Sequence, residues 1–247
     1  MLLKEIVSFL EQKAPAHTAE EWDNVGLLVD AGNDDIQTAV VALDATPAAL
    51  EFAVANGAKL LITHHPVIFS PLKAIAHDMP AATALSAGVS VLSLHTNLDK
   101  AAGGVNDTLA RLLNLRDVQT AEDGMTRLGK LDAPLTAPDF AAFVSEKLGT
   151  SVSYTYGRMV KTVAVCGGGA GDGVFAFADV ADAYVTGEIK HHEFLAAKDR
   201  LFTAVAAGHY ATEVPVVDTL TAWLRDAFPT LSVLPFYDEA PYQSVMR

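Results

Sequence analysis

"LLITHHPVIF", residues 60–69, runs an apolar, β-branched-ending stretch into two adjacent histidines and stops at Pro66. A short apolar run closed by proline reads as a buried strand, because proline has no N–H for the ladder and fixes φ. Neighbouring side chains on a strand point to opposite faces, so His64 and His65 can aim the same way only where the strand is already turning into a loop. The flanking sequence decides the kind of sheet. "TAVVALDAT", "PAALEFAVANGA", "KLLITHHP", "PAATALSAGV", "SVLSLHTNLD" and "GGVNDTLARLLNL" alternate strand-like and helical stretches, with near-continuous Val, Leu and Ile in the strands. That rhythm predicts βαβ units in an α/β fold, with a largely parallel sheet flanked by helices on both faces. In such sheets ligands collect beyond the carboxyl ends of the strands, and His64, His65, His95 and Asp99 all fall at or just after such ends.

After residue 115 the composition changes. "RDVQTAEDGMTRLGKLDAPLTAPDF" is polar and turn-rich, and alternation then resumes in "TVAVCGGGAGDG", "ADAYVTGEIKHHEFLAAKD", "LFTAVAAGHY" and "TEVPVVDTLTAWLRDAF". The expected division is a first α/β domain over residues 1–122 and a second α/β unit over 123–247, with the 208–228 segment returning to the site of the first. At the N-terminus, "MLLKEIVSFLEQKAP" breaks its apolar positions with Lys4 and Glu5, so it reads as an amphipathic helix with Leu3, Val7 and Leu10 on one face and not as a signal peptide. No apolar run approaches the length of a membrane span.

Hydrophobic residues make up 51% of the 247, enough for a substantial core. Thirty Asp and Glu stand against 17 Lys and Arg, a formal net charge of -13, so the basic footprint of a nucleic-acid-binding surface is missing and no such partner is expected. The single cysteine, Cys166, cannot form an intrachain disulfide, which fits a reducing, cytoplasmic setting.

Possible metal ligands come from several segments. His64-His65 ends one strand, and "SLHTNLD" offers His95 and Asp99 after another. "AAGHYATE" puts His209 and Glu213 four apart, on one face if a helix begins near Gly208. Singly, each has a bland alternative as a polar strand end, a helix cap or a chance spacing. Together they place His, or His with carboxylate, at three strand ends that a parallel sheet brings to one edge. The donor set is nitrogen and oxygen without thiolate, suited to Zn, Mn, Fe, Co or Ni. Six candidates exceed the needs of one tetrahedral ion, and two ions would use them better.

Other motifs are weaker. "CGGGAGDG", residues 166–173, lacks the Lys-Ser/Thr ending of a P-loop and meets the dinucleotide fingerprint only if Ala176 replaces the last glycine. It reads first as a loop bordering the site, with phosphate contact through Gly167–Gly173 as the alternative. His191 and His192 read as the exposed start of a helix. Ser93, His95 and Asp99 lack the Gly-x-Ser-x-Gly setting of a hydrolase triad.

Taken in order, "EEWDNVGLLVD", "ALDAT", "LLITHHPVIF", "SLHTNLDKAAGGVNDTLA", "VAVCGGGAG", "DAYVTGEIKHHEFLAA" and "AGHYATE" resemble the Nif-three-like dinuclear metal-centre hexameric proteins, often called GTP cyclohydrolase I type 2, over nearly the whole chain. The resemblance implies two interlocked α/β units assembled into a toroidal homohexamer, and two divalent metal ions per subunit. It implies that His64 and Asp99 bind one ion, that His65 and His209 bind the other, and that Glu213 bridges both. His95 becomes a neighbour that completes a shell, orients a ligand or serves as the catalytic acid. Hydrolysis of a small, nucleotide-like molecule is the implied chemistry, yet no guanine-reading or triphosphate-binding pattern appears in the sequence. A non-enzymatic metal-binding or regulatory scaffold is the competing reading.

Overall fold

The structure is a computed structural model that describes residues 1–242. In chain order the elements are α1 (Leu3–Lys13), β1 (Gly26–Val29), β2 (Thr38–Ala42), α2 (Pro47–Ala55), β3 (Leu60–Thr63), α3 (Pro80–Ser86), β4 (Ser90–Ser93), α4 (Thr96–Lys100), α5 (Val105–Leu112), β5 (Arg116–Thr120), β6 (Arg127–Leu135), α6 (Ala137–Leu148), β7 (Ser153–Tyr154), β8 (Val160–Val165), α7 (Gly173–Phe177), β9 (Ala183–Thr186), α8 (His191–Asp199), β10 (Thr203–Ala206), α9 (His209–Glu213), α10 (Val216–Ala227) and β11 (Ser232–Pro235). They form two compact units. The first takes Met1–Gly104 and Val216–Glu239; the second takes Val105–Pro215 and the described residues from Ala240 onward.

In the first unit the sheet order is β1-β4-β3-β2-β11. β4, β3, β2 and β11 run parallel, and β1 is an antiparallel edge. Every residue of β3 and β4 is buried, as expected of central parallel strands covered on both faces. Helix α2 starts where Thr46 accepts a hydrogen bond from the Ala49 N–H and Pro47 supplies a preset φ, a pairing that satisfies an otherwise orphaned donor. Its Ala49, Leu50 and Ala53 enter a core with Val40, Leu61 and Val91. Helix α1 buries Leu3, Ile6 and Leu10, so Ile6 takes the place the pattern gave to Val7.

In the second unit the sheet order is β5-β6-β8-β9-β10-β7. Only β8, β9 and β10 run parallel; β5, β6 and β7 are antiparallel to their neighbours, so this sheet is mixed. The polar stretch after residue 115 forms the β5-β6 hairpin. All five residues of β5 are exposed, so no apolar alternation marks it in the sequence.

The units do not divide near residue 122. Helix α5 already belongs to the second, because its Leu109 and Ala110, with Leu113 and Leu115, bury into the cluster formed by Phe140, Val144, Val163, Val185 and Val205. Conversely α10 and β11 return to the first unit, where β11 pairs β2 with Val233 opposite Ala39. Composition marks where polarity changes, whereas unit membership follows which core an amphipathic face fills. Among the described residues no helix is long and apolar enough to cross a membrane.

Candidate metal centre

In the first unit three parallel strands end in step. Ala42 of β2 pairs with Thr63 of β3, and Thr63 with Ser93 of β4. Two residues further along each strand stand Asp44, His65 and His95, so the register alone aligns them at one sheet edge. The backbone turns immediately after β3: the N–H groups of His64 and His65 both donate to the Leu43 carbonyl, at 3.1 and 3.0 Å. That turn releases the two imidazoles from the opposite-face rule of a strand, and their rings lie 4.8 Å apart between centroids.

Each of these histidines is oriented through Nδ1. His64, fully buried, reaches the Leu94 carbonyl at 2.9 Å. His65 reaches Asp44 Oδ1 at 2.7 Å, and His95 reaches Asp23 Oδ1 at 2.8 Å. A carbonyl or a carboxylate only accepts, so in each case Nδ1 carries a proton, and in the neutral ring Nε2 is the nitrogen with the lone pair. A histidine that gives one ring N–H to an oxygen and offers the other nitrogen is the usual arrangement of a metal-ligating imidazole. Ligand nitrogens of His64, His65 and His95 lie within 4.8 Å of one another. His64 Nε2 is 3.8 Å from Asp99 Oδ1. Two bonds of about 2.1 Å at a tetrahedral angle separate their donor atoms by roughly 3.4 Å, so that pair is close to the span one ion needs.

The electrostatics favour a neutral His95 and an ionised Asp23. Burial pushes the His95 imidazole below its ordinary value, and facing His64 adds to this; the Asp23 carboxylate opposes both without reversing them. At Asp23, burial raises the carboxyl, but hydrogen bonds from the Thr96 hydroxyl, His95 and the Thr96 N–H outweigh it and hold the group below the usual carboxylate range.

The second unit repeats the principle. β8, β9 and β10 run parallel, and beyond their ends come Gly167-Gly168, Gly187-Glu188 and Gly208-His209. Helix α9 begins at His209, meeting the condition under which the four-residue spacing shares a face, and sets His209 Nε2 3.0 Å from Glu213 Oε2 across one turn. His209 Nδ1 donates to Glu188 Oε1 at 3.0 Å, the same Nδ1-to-oxygen pattern. The glycine stretch builds this half of the site from below. Gly168 lies at φ +66°, donates its N–H to Thr212 Oγ1 at 3.1 Å, and passes so close that a Cβ there would meet the Glu213 carboxylate. Only glycine both adopts that φ without strain and leaves the space.

Among the residues singled out in the sequence, the first unit therefore groups His64, His65, His95 and Asp99, and the second pairs His209 with Glu213. His191 and His192 begin α8 and stay exposed, outside these groups. Cys166 is buried, with the Asn106 amide 3.8 Å from its sulfur. Asp23, Asp44 and Glu188 were not read from the sequence as functional, although all three lie in stretches that carry the family resemblance. Their signal was a carboxylate in a loop beside a strand, which is too common to single them out without the fold.

With this geometry in view, a family model for Duf34/NIF3 (NGG1p interacting factor 3) matches residues 1–239. A GTP cyclohydrolase 1 type 2 homolog of Nostoc sp. is 35% identical over 202 residues, covering 75% of this chain and 76% of its own. One from Streptomyces coelicolor is 32% identical over 234 residues, covering 86% and 82%. A hypothetical protein of Staphylococcus aureus, solved by crystallography, superposes with a TM-score of 0.89 at 26% identity over 99% of both chains.

Proposed function

The chain belongs to the Duf34/NIF3 family, and on that premise we propose that it is a metal-dependent hydrolase or cyclohydrolase acting on a small, nucleotide-like molecule. The observation that carries this reading is the shared orientation of four imidazoles: His64, His65, His95 and His209 each set Nδ1 against an oxygen, and the Nε2 of His209 lies 3.0 Å from Glu213 Oε2. Histidines so oriented, with Asp99 in the first unit and Glu213 in the second, fit divalent ions that favour nitrogen and oxygen donors.

Two ions per chain would be held by His64, His65 and Asp99 of the first unit and by His209 and Glu213 of the second, with Glu213 proposed as the shared ligand. When bound, such ions supply Lewis-acid polarisation of a carbonyl or phosphoryl oxygen and a nucleophile at neutral pH. The chain's own residues hold the arrangement. Asp44, Asp23 and Glu188 fix the rings of His65, His95 and His209, and Thr96 holds Asp23 in turn. His95, set against Asp23, is the residue we assign to proton transfer at the site. The names of relatives as GTP cyclohydrolase 1 type 2 homologs support a nucleotide as the first substrate to try, and a homohexamer is the assembly proposed.

Elemental analysis of natively purified protein, with its mass in solution, tests the reading. About two metal equivalents per chain in a particle of six chains, with nucleotide hydrolysis that chelation abolishes and metal restores, is the expected result. Two equivalents without turnover on any nucleotide would favour a metal-binding scaffold. No metal, and none taken up from Zn, Mn, Fe, Co or Ni, would overturn the proposal.

A further inference from the structure

In the first unit, two large aromatic side chains stand in the open beside His95. Trp22 is 59% exposed and Phe69 52%, uncommon values for rings of that size, which ordinarily bury most of their surface. They lie against each other with centroids 5.8 Å apart, and each meets the His95 imidazole near edge-on, at 6.0 and 6.2 Å. The pairing is built. Asn24 Nδ2 donates to the Ile68 carbonyl at 2.6 Å and ties the Trp22 segment to the loop that carries Phe69. Asp23, between Trp22 and Asn24, is anchored by His95 and Thr96. Neighbours on both sides therefore hold Trp22 and Phe69 at the mouth of the histidine cluster.

We propose that Trp22 and Phe69 form a stacking platform for the planar heteroaromatic ring of the substrate, holding it next to His95. This deepens the proposed function, and rests on it, by naming the part of the substrate that the chain grips. Exposed aromatic faces bind bases through stacking, which every base offers whatever its hydrogen-bonding edge. Such a platform explains how a nucleotide-like ring is held by a sequence without a guanine-reading motif. Ring recognition falls to Trp22 and Phe69, and neither needs a metal ion.

The chain has two tryptophans, Trp22 and Trp223. A Trp223→Phe protein leaves Trp22 as the sole reporter, and its emission is titrated with guanosine 5′-monophosphate and, as the ring-free match, ribose 5-phosphate. Saturable quenching by the nucleotide alone is expected, in metal-free and metal-loaded protein alike. Phe69→Leu in that background is expected to weaken binding about tenfold, the range of one lost base–aromatic contact. Absence of saturable quenching, an equal response to ribose 5-phosphate, or an unchanged curve in Phe69→Leu would overturn the proposal. So would Trp22 emission that changes with protein concentration alone, since the face would then be covered by a second copy. Metal content is measured separately, so loss of the metal reading and loss of the platform are told apart.

Discussion

His95 donates through Nδ1 to Asp23 Oδ1 at 2.8 Å across 72 residues of sequence, and the other oxygen of that carboxylate accepts from the Thr96 N–H at 3.0 Å. One buried carboxylate thus fixes both the tautomer of the imidazole and the start of the helix that carries Asp99. Asp23→Asn keeps the shape and removes the charge that orients His95. We expect nucleotide turnover to fall about 100- to 10,000-fold, the range of a misplaced proton-transfer group, with metal content and thermal stability little changed. Turnover and elemental analysis of the variant check it, and unchanged turnover would refute the positioning role.

Ligand sharing makes a second prediction. If Glu213 is shared as proposed, Glu213→Gln should lower the metal content at both positions, because its carboxylate would hold each ion, whereas His64→Ala should deplete mainly one. Elemental analysis of the two variants separates these outcomes. Two full equivalents retained in Glu213→Gln would rule out sharing.

Gly168 and Gly169 offer a paired test in adjacent residues. At Gly168 a Cβ collides with the Glu213 carboxylate at a positive φ of 66°, while at Gly169 the nearest atom, Glu188 Oε2, is 3.9 Å away. Gly168→Ala should destabilise the protein by about 1–3 kcal/mol through strain and overpacking and reduce metal binding. Gly169→Ala should leave both nearly unchanged. Thermal unfolding and metal titration of the two variants give the comparison, and equal behaviour would mean that the loop does not support Glu213.

Tyr184 sets an alkaline limit. It is fully buried, and its hydroxyl donates to the Ala170 carbonyl at 2.7 Å. Burial, with Cys166, Asp172 and Asp123 adding to it, raises its pKa well above the ordinary phenol value. The folded pKa exceeds the unfolded one, near 10, so this contribution is fully present below about pH 10 and is lost as pH climbs toward the folded value. Denaturant midpoints measured from pH 8 to 11 should fall at the alkaline end. Tyr184→Phe should flatten that fall while costing about 1 kcal/mol at neutral pH for the lost hydrogen bond. An equally steep fall in the Phe variant would assign it to another group.

Much of the site was legible in local sequence because strand and helix periodicity are local properties. The run into Pro66 marked where β3 ends, and the four-residue spacing of His209 and Glu213 left open a shared helix face that α9, beginning at His209, supplies. The hairpin of β5 and β6 was not legible, since an exposed strand has no apolar face to leave in the sequence. The unit boundary was also hidden. Polarity changes near residue 122, but the apolar faces of α5 and α10 decide which core each helix fills.

By itself the sequence determined the donor chemistry: imidazoles and carboxylates at strand ends, without thiolate, in a chain of net charge -13. Tertiary structure decided what those donors are prepared to do. The parallel register of β2, β3 and β4 brings Asp44, His65 and His95 to one edge, and hydrogen bonds spanning 21 to 72 residues commit the Nδ1 of His65, His95 and His209 to carboxylates. A tautomer is fixed by whichever oxygen lies opposite the ring, and for these residues that oxygen arrives from a distant strand end or loop, so only the folded chain selects it.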